Sequence, residues 1–348
     1  MKILKTAVAG LGRIGWQFHI PSTIKNDGFE LICVCDPLEE RRREAEESFG
    51  VKGYKCFDKM LEKEKPDLAV IATPTNLHKE HATRAMELGC DVFLDKPIAV
   101  NLTEAEEIAA SAKRAGRKLM VYQPHRATAE TQTIKKIIAS GVAGDIFMIK
   151  RNWHLFSFRN DWQAMKKFGG GMLNNYGAHA IDSSLYLAGS KAEKCAAYMN
   201  VIASAGDADD VVKLLIETEN KICLDLDINM ASAGGLPETV LYGSCGTVTQ
   251  TKRDDGTFFY RAKYFKQEEK RRVEVNEKLA ADGRLYHTAR PEVWHEADFE
   301  IEKGAEINFY EKVYEYYALG AEPFVPVSDT MEVMRVIDEC RRYTGWVY

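Results

Sequence analysis

The spacing of apolar residues changes character about a third of the way along the chain. In the first third, short and almost wholly apolar runs alternate with stretches that have the spacing of helices. Such runs predict parallel strands buried on both faces of a doubly wound α/β domain, which we place at residues 1–123. The predicted strands are Thr6–Ala9, Glu30–Cys35, Leu68–Ala72, Val92–Leu94 and Lys118–Tyr122.

From about Ala127 the pattern becomes that of a strand-rich second domain, which we place at residues 124–348. In the strand beginning at Lys221, apolar and polar residues alternate, which predicts one buried and one polar sheet face. The segment 267–306 has weak periodicity and is expected to add strands and loops to this sheet. After a helix near Thr131–Ser140, the predicted strands are Ile146–Phe158, Cys195–Ala203, Val211–Thr218, Lys221–Asn229, Thr239–Tyr242, Thr247–Thr251 and Phe258–Lys266.

Three helix starts are predicted from capping residues. Asn76 is expected to cap a helix that runs to Leu88, and Ser328 to cap the last helix of the chain. Thr103, with Glu106 three residues later, is typical of a capping box.

Composition excludes several classes of function. With 45% hydrophobic residues, 28% charged residues and a net charge of −5, the chain lacks the basic excess of a nucleic-acid-binding protein. Its longest apolar runs are far too short to span a membrane, and the apolar run near the N-terminus is interpreted as a first strand rather than a signal peptide. Eight scattered cysteines without a Cys-x-x-Cys pair predict reduced thiols in a cytoplasmic protein, and the histidines have no zinc spacing. We therefore expect no metal site.

A glycine-rich loop follows the first predicted strand. We expect Gly10 to allow the tight turn, Gly12 to let the backbone approach a pyrophosphate, and Gly15 to allow close helix packing. Asp36 ends the second strand, 21 residues past Gly15, close to the ~20 typical of a dinucleotide-binding fingerprint. This carboxylate favours NAD over NADP, although the arginines at 41–43 could pair with a 2′-phosphate. The predicted cofactor-binding loop is Gly10, Leu11, Gly12, Arg13, Ile14 and Gly15.

Other polar residues follow the remaining strands, at the sheet edge where ligands of open α/β sheets bind. Among them, Lys96 is either a simple phosphate or ribose contact, or a desolvated lysine whose lowered pKa suits it to proton handling. The further predicted cofactor contacts are Thr73, Pro74, Thr75, Asn76, His78, Asp95, Lys96, Pro97, Gln123 and Trp162.

A helix after the glycines at 169–171 carries Asn175, His179 and Asp182 at i, i+4 and i+7, on one face. A histidine suits removal of a hydroxyl proton near neutral pH. Asp182 is expected to orient the imidazole or bind a substrate hydroxyl, and Asn175 to position substrate by hydrogen bonds. The glycines are expected to let the chain pass close to a nicotinamide. The alternative is a buried structural histidine satisfied by Asn175.

The segment RNWHLFSFRNDW, residues 151–162, combines rings with arginine and asparagine. Aromatic faces stack on sugars and the polar groups bind hydroxyls, so His154 and Arg159 are candidate substrate contacts, together with Lys96, Asn175 and His179. The alternative is core packing by alternate strand residues.

These motifs together, from GLGRIG through TPTNLH and DKP to GGGMLNNYGAHAID, resemble the glucose–fructose oxidoreductase/inositol dehydrogenase (Gfo/Idh/MocA) family. The resemblance implies a Rossmann domain followed by a domain with a large, open, mostly antiparallel sheet. It implies that Lys96 and His179 take the positions of the family's lysine and helix histidine, with a cis peptide before Pro97. Two residues depart from the family pattern: Asp95 stands where glutamate is usual, and Asn175 where many members have aspartate.

The resemblance also implies oxidation or reduction of a carbohydrate-like carbinol with NAD or NADP, by a homodimer or homotetramer. We therefore expect an NAD-dependent dehydrogenase or reductase of a sugar or polyol. Two alternatives are kept: a redox-neutral enzyme that cleaves glycosides by oxidation, elimination and reduction, and a cofactor-sensing regulator without catalysis.

Overall fold

The computed structural model describes residues 2–269 and 293–346. The first sheet has six parallel strands in the order β3-β2-β1-β4-β5-β6, and the predicted α/β domain is confirmed. Its strands are β1 (Leu4–Ala9), β2 (Phe29–Cys35), β3 (Lys52–Tyr54), β4 (Leu68–Ile71), β5 (Asp91–Asp95) and β6 (Leu119–Tyr122). The helices of this part are α1 (Ile20–Lys25), α2 (Glu39–Phe49), α3 (Phe57–Glu64), α4 (His78–Glu87) and α5 (Leu102–Ala115).

Within the described residues the second sheet has eight strands in the order β14-β13-β12-β11-β7-β10-β9-β8, and only its β7–β10 pair is parallel. Strand β7 is shorter than predicted: beyond His154 the chain makes only an isolated bridge from Phe156 to Ala231. Part of the segment 267–306 does add a strand, while residues 270–292 lie outside the described ranges. The strands are β7 (Ile146–His154), β8 (Ala192–Asn200), β9 (Val211–Thr218), β10 (Cys223–Asn229), β11 (Thr239–Gly243), β12 (Gly246–Lys252), β13 (Phe258–Tyr264) and β14 (His295–Glu300).

The two faces of this sheet differ as the alternation predicts. Leu224, Leu226 and Ile228 of β10 are fully buried in the main hydrophobic core. On the opposite face of the same strand, Asp225 and Asp227 pair with lysines of the neighbouring strands. The helices of this part are α6 (Ala129–Ser140), α7 (Ala178–Ala188), α8 (Phe309–Tyr314) and α9 (Val327–Thr344).

The last described segment returns to the first sheet. Phe309, Tyr310 and Val313 of α8 pack with Phe93 in a second hydrophobic cluster, and the Tyr310 hydroxyl lies 2.8 Å from Nδ1 of the buried His19. The division of the chain at residue 123 stays a prediction, and this return means that residues from both parts build the core of the first sheet.

The predicted helix caps were wrong in each case. Asn76 lies inside a short 3-10 turn before α4, and Ser328 lies inside α9, which begins after Pro326. The side chain that caps α5 is Asn101, which accepts the backbone N–H of Glu104 at 2.9 Å, so Thr103 falls within the helix. The helix therefore begins two residues earlier than predicted, with Asn101 rather than Thr103 as its cap.

Candidate active site

The glycine loop after β1 has the geometry of a nucleotide cradle. Gly10 has a φ of +90°, and a side chain there would collide with the carbonyl of Ala72. A side chain at Gly15 would collide with the Gly10 carbonyl, so both glycines are required by close packing inside the chain. At Gly12 a Cβ atom would meet nothing within 4 Å. The loop is therefore tight on its inner side and open where a pyrophosphate would approach, and its residues fit a dinucleotide.

Asp36 ends β2 beside this loop and is buried. Its carboxylate accepts the backbone N–H groups of Leu11 at 2.8 Å and Leu38 at 2.9 Å. Arg41 pairs with the same carboxylate at 3.3 Å, and Arg42 donates to the carbonyl oxygens of Asp36 and the next residue. Arg41 is therefore in direct contact with the carboxylate that it opposes in cofactor choice, and Arg42 binds the backbone beside that carboxylate.

The loops after β4 and β5 are tied together by His78. Its Nδ1 lies 2.9 Å from the carbonyl oxygen of Pro97 and its Nε2 lies 2.8 Å from that of Thr73. Burial lowers the pKa of His78 to about 4. The prediction that His78 contacts the cofactor is wrong, because its ring is buried and both nitrogens face carbonyl groups of the chain. Its ring instead links the Thr73–Asn76 loop to the segment that follows β5.

Lys96 follows β5, and the peptide bond to Pro97 is cis, as the family resemblance implies. The ammonium group donates to the backbone oxygen and to Oδ1 of Asn175, each at 2.9 Å. Burial lowers the pKa of Lys96 to about 8; the Asp95 carboxylate opposes this, and the positive charge of Arg159 adds to it. Burial raises the pKa of Asp95 itself to about 6. Lys96 is therefore a lysine that can exchange a proton near neutral pH.

The glycines before α7 are explained by packing within the chain. Gly169 and Gly171 have φ values of +72° and +98°, and a side chain at Gly170 would collide with the carbonyl of Gln163. The expectation that these glycines make room for a nicotinamide is therefore not needed to account for them. The tight turn directs the helix so that Asn175 reaches Lys96.

Asn175 lies in a π-helical turn (Leu173–Gly177) that leads into α7, so the predicted single α-helix is interrupted; both Asn175 and His179 lie near Lys96, but no hydrogen bond joins them. The amide nitrogen of Asn175 donates to Oε1 of Gln163 at 3.3 Å, while its oxygen accepts from Lys96. Nδ1 of His179 is buried without a hydrogen-bond partner among the described residues. The alternative of a structural histidine satisfied by Asn175 is therefore wrong.

Asp182 does not serve His179. Both of its oxygens accept hydrogen bonds from the buried guanidinium of Arg126, at 2.7 and 2.8 Å, and its side chain has no exposed surface. Arg126 also pairs with Asp329 at 2.9 Å. The prediction that Asp182 orients the imidazole or binds substrate is wrong, because its hydrogen-bonding capacity is used by an arginine 56 residues away in sequence.

His125 is a residue of this site that the sequence analysis missed. Its ring lies parallel to that of His179, with centroids 4.0 Å apart and planes 6° apart. It lies three residues after the end of β6, so its place at the carboxyl end of a parallel strand was a usable signal. Gln123 is buried, and its Oε1 has no partner among the described residues; its role as a cofactor contact stays a prediction.

The candidate contact residues of the segment 151–162 lie in two separate places. His154 lies on the outer face of the second sheet, where its Nε2 is 3.4 Å from Asp227, so the prediction that it contacts substrate beside His179 is wrong. Arg159 pairs with Asp161 at 3.0 Å and is close enough to Lys96 to lower its pKa. Trp162 begins a short turn and is half-buried. The pairing of β7 with β10 determines the sheet face on which His154 lies, and the local sequence does not show that pairing.

Comparison with known families decides the assignment. Residues 4–123 match the description "Oxidoreductase family, NAD-binding Rossmann fold", and residues 131–249 match the "GFO/IDH/MocA C-terminal domain". Together these matches cover more than half of the chain. The chain belongs to the Gfo/Idh/MocA family. It is accordingly an NAD-binding oxidoreductase, and the fold with a Rossmann domain and a large second sheet is confirmed.

Individual members of the Gfo/Idh/MocA family are similar to the chain at moderate identity. D-apiose dehydrogenase of Paraburkholderia graminis is 25% identical over 353 residues, which cover 97% of this chain and 87% of that protein. D-glucoside 3-dehydrogenase of Escherichia coli is 28% identical over 201 residues, but the match spans only 55% of this chain and 56% of that protein. The crystal structure of an NAD-binding protein from Listeria innocua has a TM-score of 0.85 and 25% identity, over 99% of this chain and 98% of that one.

For a Gfo/Idh/MocA enzyme the arrangement has a clear chemical capacity. Bound NAD supplies the hydride acceptor or, in reduced form, the donor. Lys96, after β5, and His179, in α7, are titratable groups close enough for the charge of Lys96 to lower the pKa of His179. No cluster of possible metal ligands occurs in residues 2–269 and 293–346. No helix within those ranges is long and apolar enough to cross a membrane.

Proposed function

We propose that the chain is an NAD-dependent dehydrogenase, or reductase in the opposite direction, that acts on a carbinol or keto group of a sugar, polyol or related carbohydrate. One observation carries this proposal: the Lys96 ammonium group hydrogen bonds to Asn175, four residues before His179. The names of the similar D-apiose and D-glucoside dehydrogenases support a carbohydrate substrate.

His179 is the group that takes the hydroxyl proton. Burial lowers its pKa well below the usual value, and the charge of Lys96 adds to this effect. The imidazole is therefore neutral and able to accept a proton near pH 7. Since Nδ1 is buried, Nε2 is the nitrogen that faces substrate. Lys96 donates a hydrogen bond to the same substrate oxygen, and Arg159 and Trp162 contact the remainder of the sugar.

The experiment is a panel of sugars, polyols and glycosides, with NAD, followed by absorbance at 340 nm. A dehydrogenase produces NADH in proportion to oxidised product. Release of an aglycone without net NADH would instead identify the redox-neutral cleavage reaction. Binding of NAD with no turnover of any member of a broad panel, in either direction, would favour the sensing regulator.

Cofactor choice follows from Asp36. We expect tighter binding of NAD than of NADP, because the buried carboxylate would face a 2′-phosphate at short range. Replacing Asp36 by serine should remove that repulsion, free Arg41 for the phosphate and shift the preference toward NADP. Titration of both cofactors by protein fluorescence measures this. Tighter NADP binding by the unmodified protein would show that the arginines outweigh the carboxylate.

Asn175→Asp restores the acid that many family members have. The new carboxylate would lie against the Lys96 ammonium, whose pKa is about 8, and an opposite charge in contact raises a lysine pKa. Lys96 should then keep its proton to higher pH, so the basic limb of the kcat/KM profile should move upward by about 1 pH unit or more. Asn175→Ser, which adds no charge, is the control. An unchanged basic limb in Asn175→Asp would show that Lys96 does not control it.

A second subunit is the expected cover for the outer face of the large sheet. This face carries exposed apolar residues, including Tyr198 and Leu215, between its ion pairs. We propose a homodimer or homotetramer formed through it. Light scattering at micromolar concentration measures the assembly, and Leu215→Glu should weaken it. A monomer at that concentration would refute the proposal.

A further inference from the structure

The stacked imidazoles of His125 and His179 come from two elements that are clamped together beside them. His125 lies in the short turn after β6, next to Arg126, and His179 lies in α7, three residues before Asp182. The buried Arg126–Asp182 pair joins these elements by two hydrogen bonds. The two rings meet in nearly parallel planes at 4.0 Å. A buried ion pair therefore joins the two elements that carry the stacked rings.

The surroundings of both rings disfavour a positive charge. His179 faces Lys96 and His125, and His125 faces Arg151 and Lys96. The Arg126–Asp182 pair behind them is internally neutralised. Burial, with the charges of Arg151 and Lys96 added, lowers the pKa of His125 to about 3. His125 is thus a neutral ring at every pH at which the enzyme would be assayed, and it cannot itself exchange the reaction's proton.

Within the described structure, no hydrogen bond to Nδ1 fixes the orientation of the His179 ring. Its Nδ1 makes no hydrogen bond among the described residues, so no carboxylate or carbonyl group fixes the ring from that side. A base usually has such a partner, and Asp182, the expected one, is bound to Arg126. The flat contact with His125 lies along one face of the imidazole and restricts its rotation.

We propose that His125 is a positioning residue for His179: its ring fixes the plane of the His179 imidazole and thereby points Nε2 at the substrate hydroxyl. This inference rests on the proposed function of His179. It predicts that the ring face of His125, more than its nitrogens, is what the reaction requires. Loss of the face should therefore lower kcat more than it changes KM, since His125 acts through His179 and does not touch substrate.

The test compares His125→Phe, which keeps a flat ring of similar size, with His125→Ala, which removes it. We expect His125→Ala to lower kcat by ~10–100-fold, because a base displaced by about 1 Å can lose that much, with KM within about threefold of the unmodified value. His125→Phe should retain kcat within about threefold. His295→Ala is the matched control, since it removes an imidazole whose ring centre lies 5.6 Å from that of Tyr264 in the outermost strand, and it should leave both constants unchanged.

The pH profile separates positioning from a merely structural role. Burial is the main cause of the low pKa of His179, so removing the covering ring in His125→Ala should raise that pKa and move the acid limb of kcat/KM to higher pH, whereas His125→Phe, which keeps His179 covered, should leave the limb in place. A structural defect would lower the active fraction and the melting temperature without moving the limb. Cofactor titration shows that each variant is folded.

Each outcome has one meaning. Unmodified kcat and an unmoved acid limb in His125→Ala would overturn the positioning role, as would equal losses in His125→Phe and His125→Ala. An active His179→Ala enzyme would instead overturn the proposed function. If His179→Ala is inactive while His125→Ala behaves as the unmodified enzyme, only the inference about His125 fails.

Discussion

Replacing His179 by alanine should lower kcat by ~10²–10⁴, the range that a general acid–base group contributes. The neutral imidazole accepts the hydroxyl proton as hydride leaves the same carbon, and no other described side chain with a suitable pKa lies on this face of α7. Lys96 has a pKa of about 8 and hydrogen bonds to Asn175, so it is largely protonated near pH 7 and cannot replace the base there. Steady-state rates with the best substrate of the sugar panel measure the loss.

The control for this variant is cofactor binding. His179 is separated from the glycine loop and from Asp36, so NAD should bind to His179→Ala within about threefold of the unmodified affinity. Activity lost together with NAD binding would point to a folding defect and would leave the role of the imidazole to be tested with His179→Gln. Full activity of a folded His179→Ala enzyme would contradict the assignment of the whole site.

Replacing Asp182 by asparagine should lower the free energy of unfolding by about 3–5 kcal/mol, the cost of removing one partner from a buried ion pair. The loss would leave the Arg126 guanidinium, whose side chain is only 4% exposed, with a single carboxylate at the protein surface. Urea unfolding followed by tryptophan fluorescence measures the change.

Asp329→Asn is the matched control for this prediction. Asp329 binds the same arginine, but its side chain is 42% exposed, so its loss should cost under about 1 kcal/mol. Comparable losses in the two variants would contradict the buried-pair interpretation. Conversely, a stable Asp182→Asn enzyme with a large loss of kcat would show that Asp182 has a role in catalysis.

Most features determined by local sequence were predicted correctly, with the helix caps as the exception. The apolar runs of β1, β4 and β5 mark strands buried on both faces, and Gly10 and Gly15 occupy positions where packing requires glycine. The convergence of strand ends placed Lys96 at the carboxyl edge of the first sheet, because parallel strands finish at a common edge. These predictions depend on periodicity, spacing and the topology of a doubly wound sheet, all of which the sequence displays.

Features determined by distant partners were not predicted. The i, i+7 spacing places Asp182 on the same helix face as Asn175, but it does not reveal Arg126, which takes both carboxylate oxygens. The position of His154 depends on the pairing of β7 with β10, which turns its ring toward Asp227. His125 needed knowledge of which turn packs on α7. In each case a tertiary contact between separate elements decided the role of a residue.

The return of α8 to the first sheet has a consequence for how the protein is made. Alternate residues of β1, β2, β4 and β5 form one sheet face, and Phe309, Tyr310 and Tyr317 complete its apolar cover. During synthesis from the N-terminus, this face stays partly bare after the whole glycine loop has left the ribosome, until residues about 190 positions beyond β6 emerge. The NAD-binding third of the molecule is thus translated first and completed last, and Phe93, buried in the finished fold, lies on the face that stays bare in the interval.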